Sequence, residues 1–174
     1  GLHQDAWVDV NAPLHTALQQ HGGIETANRI FLSDTSAGHA WSLVWYDRSV
    51  SNSQSTLSFR VWMTPAGRPL GFECTVPDTL RLPSLDHEAA RALARAFLER
   101  SRVSVDGFTL LTDSDVKLMN RIDHRFVWQR TAGLIETTVS VRVQGNRLGG
   151  FRITYAPAGV AQREVADTFT VLTF

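Results

Sequence analysis

The chain of 174 residues has one cysteine, one lysine, no net charge and no long apolar run, and each scarcity excludes something. With Cys74 alone, neither an internal disulfide nor a cysteine metal cluster can form. Its alternation with Phe72 and Val76 reads as a small buried apolar residue rather than a catalytic thiol, since no neighbouring residue reads as a base. Seventeen basic residues against seventeen acidic ones leave no overall pull toward nucleic acid or anionic lipid, so no nucleic-acid partner is expected. Lys117 is the only lysine, an arginine bias that reads as genomic composition. Uninterrupted apolar runs fall far short of the roughly 20 residues that cross a bilayer. The start at Gly1, without an initiator Met or a charged-then-apolar leader, reads as an excised segment whose targeting signals have been removed.

What is present is an ordinary globular composition, 43% apolar and 20% charged, and a pattern written twice. Leu43-Val44-Trp45, Thr56-Leu57-Ser58-Phe59-Arg60-Val61 and Leu70-Gly71-Phe72 answer to Phe126-Val127-Trp128, Thr138-Val139-Ser140-Val141-Arg142-Val143 and Gly149-Gly150-Phe151. The offset is 83 residues between Trp45 and Trp128, 82 between Thr56 and Thr138, and 79 between Gly71 and Gly150. Strand cores that match while connections drift are what a duplicated structural unit leaves behind.

Pro13 opens a short helix carrying Leu14, Ala17 and Leu18, stopped by Gly22-Gly23, with a second helical stretch from Ile24 to Leu32. Trp41, Leu43 and Trp45 alternate with Ser42, Val44 and Tyr46 as in a strand. After a polar loop, Arg48 to Ser55, a second strand points Leu57, Phe59, Val61 and Met63 inward and Ser58, Arg60 and Trp62 outward; Phe72, Cys74 and Val76 continue the inner face. Pro77 to Pro83 reads as a linker. Asp86 then caps an amphipathic helix with Ala89, Leu93, Ala96 and Phe97 on its apolar stripe. Phe108 to Leu111 suggests a short extended piece. A second three-stranded meander follows, with a tight turn at Gln144-Gly145-Asn146-Arg147, and Val165 to Phe174 reads equally as a last edge strand or as the lead into a following segment. The expectation is therefore an α+β protein of two units, residues 1–80 and 81–174, each a helix packed on a three- to four-stranded antiparallel sheet.

The helix Asp86-His87-Glu88-Ala89-Ala90-Arg91-Ala92-Leu93-Ala94, with Asp123 to Trp128 and Val139 to Phe151, resembles the extracytoplasmic domain of certain bacterial membrane proteins. Those proteins carry a CPBP-type (CAAX-protease and bacteriocin-processing) intramembrane metalloprotease region, and PepSY-like units occur in tandem outside the membrane. The resemblance implies that the catalytic machinery lies outside this chain. The membrane protease is marked by a Glu-Glu pair followed by Arg; no Glu-Glu pair occurs here, so no active-site residue carries over.

Chemistry of other kinds finds little support in the spacing. Six histidines (His3, His15, His21, His39, His87 and His124) include no pair four apart on a helix, so no metal site is expected. Asp123, His124 and Ser140 invite a triad reading, but adjacent strand residues face opposite ways and no Gly-x-Ser-x-Gly elbow is present. Gly145, Gly149 and Gly150 precede a strand rather than a helix, which suits a hairpin and not a phosphate cradle. No catalytic residue, cofactor or metal is expected.

The outer face of the first sheet is more distinctive. Tyr46, Arg60, Trp62 and Glu73 project together there, and exposed aromatic and arginine residues are enriched at binding hot spots. Packing of this face on the second half is the structural alternative. The expected function is a non-catalytic extracytoplasmic sensor or interaction module, tethered to a membrane protein and recognising a polypeptide or its own membrane domain. A periplasmic small-ligand carrier with a pocket between helix and sheet is the second reading.

Overall fold

The computed structural model describes residues 2–33, 38–47 and 57–159. The Arg48 to Ser55 loop and the expected edge strand from Val165 lie outside the described residues. Eight strands alternate with two helices: β1 (Leu2–Val10), α1 (Ala12–Phe31), β2 (His39–Asp47), β3 (Ser58–Met63), β4 (Pro69–Thr75), α2 (His87–Arg100), β5 (Thr109–Lys117), β6 (Ile122–Ala132), β7 (Ile135–Gln144) and β8 (Arg147–Pro157). All eight form one antiparallel sheet in the order β1-β2-β3-β4-β8-β7-β6-β5.

This overturns the expectation of two tandem helix-on-sheet units: the described residues are mainly β, 49% strand against 24% helix. The physical reason is the junction of the halves. Each meander ends in a strand with an unpaired edge, β4 and β8, and the two edges pair through Gly71 with Arg152, Phe72 with Phe151 and Glu73 with Gly150. A side chain at Gly71 would run into the backbone of Phe151 and Arg152, so glycine there permits the close approach. Among the described residues the fusion leaves β1 and β5 as the sheet edges. The helix-first order gives way in the first half, where β1 precedes α1, whereas in the second half α2 precedes its strands.

The strand order is nonetheless symmetric about the β4/β8 seam, and the repeated segments occupy corresponding strands: Trp45 on β2 and Trp128 on β6, Arg60 on β3 and Arg142 on β7. Equivalence stops at packing. Trp128 is buried in the core beneath α2, whereas Trp45 is half-buried and donates its indole N–H to Gln4 on β1.

Both helices lie on one face. The α2 cluster contains Phe151 and packs Ile153, the α1 cluster packs Tyr155, and these alternate residues of β8 point the same way. The Asn11 side chain caps α1 by accepting from Leu14 N–H, and the helix kinks at Gly23, where φ is 76°, at the Gly-Gly stop read from the sequence. Asp86 caps α2 by accepting from Ala89 N–H at 2.8 Å. The buried stripe of α2 is Ala90, Ala94 and Leu98, one position from the expected one, and Ala96 is exposed. Two alanines at the contact let the helix axis approach Phe126 and Val141, each worth roughly 1.5 to 3 kcal/mol when fully buried.

The segment expected to be a linker is tied down. The buried Arg121 guanidinium donates to the carbonyls of Pro77 and Leu80 and pairs with Asp123 at 2.9 Å, and Ser84 Oγ accepts from Ile122 N–H. Gly145 turns the β7–β8 hairpin with φ of 60°, and a side chain there would also strike Leu82 and Pro83.

Candidate functional site

The face opposite the helices carries the residues singled out from the sequence. Strand register sets them in two rows that cross all eight strands. One row is Asp5, Val44, Arg60, Glu73, Gly150, Arg142, Arg125 and Ser114; the next is Trp7, Ser42, Trp62, Gly71, Arg152, Ser140, Val127 and Thr112. Arg60, Trp62 and Glu73 thus fall in these rows, and Tyr46 lies at the β2 end of the same face, its hydroxyl donating to Asp5 at 2.7 Å.

Trp62 is only 4% exposed although alternation turns it away from the helices. Arg152 covers it, with the guanidinium 3.6 Å from the ring centroid, and Arg60 lies 5.5 Å from both the Trp62 and Trp7 rings. The Trp41 and Phe59 side chains, assigned inward from the sequence, are 42% and 41% exposed, because neither helix covers that end of the sheet. Burial in the first half is therefore reversed at these positions.

Four arginines, Arg60, Arg125, Arg142 and Arg152, stand on this face. Glu73 accepts from Arg142 at 3.2 Å. Burial pulls the Arg152 pKa down to about 10, against the opposing attraction of Asp9 and Glu73. Arg125 is also lowered, first by burial and then by the charge of Arg142 directly across the β6–β7 ladder. Like charges at opposed positions are unfavourable in a sheet. Gly150, beside Arg142 in register, has no side chain and leaves a shallow depression lined by Arg125, Ser140, Arg142 and Gly150. Sequence reasoning missed Arg125, Arg142, Arg152 and Trp7. The repeat held a signal for one of them, since Arg142 occupies the place of Arg60 in the duplicated segment.

On the helix side, a different group gathers at the start of α2. His87 Nδ1 and His124 Nδ1 each lie 2.7 Å from Asp115 Oδ1, His87 Nε2 lies 2.7 Å from Asp113 Oδ1, and Arg91 pairs with Asp113. His124 is buried with its Nε2 3.2 Å from Leu85 O. Hydrogen bonding from His87 holds the Asp115 carboxyl below its ordinary range, opposed by burial and helped by His124. Asp123, the neighbour of His124 in sequence, pairs instead with Arg121, so the triad reading lacks its geometry. His87, Asp115 and His124 are the one such group of possible metal-holding residues among the described residues.

A separate cavity of about 670 Å³ opens between the end of α2 and β5, lined by residues including Leu98, Val103, Phe108, Leu110 and Trp128. No helix among the described residues is long and apolar enough to cross a membrane. Comparison with known protein families, with curated proteins and with solved structures finds no match.

Proposed function

We propose that this chain is a non-catalytic recognition module that binds an acidic polypeptide segment across the helix-free face of its sheet. The observation that carries this reading is the opposition of Arg125 and Arg142 beside Gly150, where they line a small depression. Glu73 already meets Arg142 at 3.2 Å, and a ligand carboxylate seated beside Arg125 and Arg142 would add charge-assisted contacts to both guanidinium groups. Trp7, Arg60 and Arg152, stacked around the buried Trp62, extend the surface with aromatic and guanidinium groups typical of protein-binding hot spots. Following the resemblance of the α2 and β6–β8 sequences, the module belongs outside the cytoplasm, tethered to a membrane protein whose own domain, or a polypeptide reaching it, is the ligand.

The test is titration of the purified chain with fluorescent Glu-rich and Lys-rich peptides of equal length. Saturable binding of the Glu-rich peptide, weakened by salt and by Arg125→Gln, supports the module. Equal binding of both peptides, or peptide hydrolysis lost on one substitution, overturns it. The cavity beside α2 favours the carrier as second reading, and small apolar compounds that raise the melting temperature would select it.

A further inference from the structure

Four ring nitrogens at the start of α2 each lie within 3.2 Å of an oxygen. His124 Nε2 faces the Leu85 carbonyl, which can only accept, so that nitrogen carries the proton. In neutral His124 the lone pair then sits on Nδ1, facing Asp115 Oδ1 at 2.7 Å. His87 is held differently: Nε2 lies 2.7 Å from an Asp113 oxygen without hydrogen-bond alignment and 3.5 Å from the Arg91 guanidinium, while Nδ1 faces the same Asp115 oxygen. Two ring nitrogens thus converge on one carboxylate oxygen, and the neutral His124 ring presents a lone pair to it. A proton between them, or one divalent ion among the three atoms, relieves that repulsion.

We propose that His87 Nδ1, His124 Nδ1 and Asp115 Oδ1 form a three-ligand site for a first-row divalent transition ion of the zinc class. The ligand atoms lie within 4.8 Å of one another. Metal-bound histidines generally give their second ring N–H to a carboxylate or carbonyl, which fixes the tautomer. His124 has that partner in Leu85 O, and the Asp113 carboxylate stands 2.7 Å from the second ring nitrogen of His87. Two imidazoles and one carboxylate suit zinc or iron(II) over magnesium or calcium, which prefer all-oxygen shells. Ligands around zinc at about 2.0–2.1 Å stand roughly 3.3 Å apart, so each 2.7 Å contact opens by about half an ångström on binding. Side chains of His87 and Asp115 are 30% and 38% exposed, which leaves an entry path and a position for water.

Spacing rules for a single helix cannot detect this set, since the ligands come from α2, β5 and β6. Its test is metal uptake by the chelator-stripped 174-residue chain, read by calorimetry with Zn²⁺ and by visible absorption with Co²⁺. One equivalent is expected to bind, with at least tenfold weaker affinity in His87→Ala and Asp115→Asn and no change in His21→Ala. His87 starts the helix and is partly exposed, so its replacement leaves the fold intact, and circular dichroism checks this. In the unmodified chain, Co²⁺ should also shift or broaden the proton resonances of the buried His124 ring. Absence of saturable uptake, equal affinity in the His87 and Asp115 variants, or an undisturbed His124 ring would each overturn the proposal.

Discussion

The Arg152 guanidinium lies 3.6 Å from the centroid of the Trp62 ring, and this one stack buries an indole on the side of the sheet that carries no helix. Gly71, between the two in register, offers no side chain to separate them. The energetic weight of the first half therefore sits partly on the face that alternation alone assigns to solvent.

Trp62→Ala is expected to destabilise the protein by about 3 kcal/mol, in the range for deleting a large buried aromatic. Trp41→Ala, at a position 42% exposed, should cost about 1 kcal/mol or less. Chemical denaturation of the two variants measures the order, and an equal or reversed cost would contradict the burial described.

Arg125→Gln removes one member of a like-charged cross-strand pair. Affinity for a Glu-rich peptide should fall roughly tenfold. Anisotropy titration of the variant and the natural chain measures this, and an unchanged affinity would contradict the site.

Asp86→Ala should cost about 1 kcal/mol through loss of the bond accepted from Ala89 N–H. Asp86→Ser, which keeps an acceptor, should recover most of it in thermal unfolding.

Asp115 supplies an acid-side dependence of stability in the metal-free protein. Its folded-state pKa is lowered from 3.8 chiefly by hydrogen bonding from His87, so its contribution is complete above that value and is lost as pH falls through the lowered one. Unfolding with chelator present should show the advantage of the natural chain over Asp115→Asn shrinking below about pH 3.8. An advantage that grew with acidification would contradict the assignment.

Much of the local structure was legible. Asp86 as a cap, the Gly22-Gly23 interruption, the alternation along β2 and β3, and the Gly145 hairpin all rest on short-range physics: capping acceptors, period-two side chains and positive φ. Leu2, Ala6, Val8 and Val10 alternate along β1, but Gln4 interrupts the pattern, so periodicity alone does not mark the strand. The β4–β8 pairing was not legible, since three register pairs between segments some 80 residues apart leave no local trace. Without that junction, neither the eight-strand rows nor the meeting of Glu73 with Arg142 can be derived.

The candidate residues show the same division. Tyr46, Arg60, Trp62 and Glu73 share a face because strand periodicity places them there. Arg125, Arg142 and Arg152 join them only through the fused sheet. His124 stands beside Asp123 in sequence but opposite Asp115 in register, and the cross-strand neighbour is the one it contacts.

Amide chemical-shift mapping during titration with a Glu-rich peptide tests the central claim most directly. The account predicts saturable, salt-sensitive shifts centred on Glu73, Arg125, Arg142 and Gly150, with α1 and α2 unperturbed. Shifts confined to the helix side, or equal shifts with a Lys-rich peptide, would contradict it.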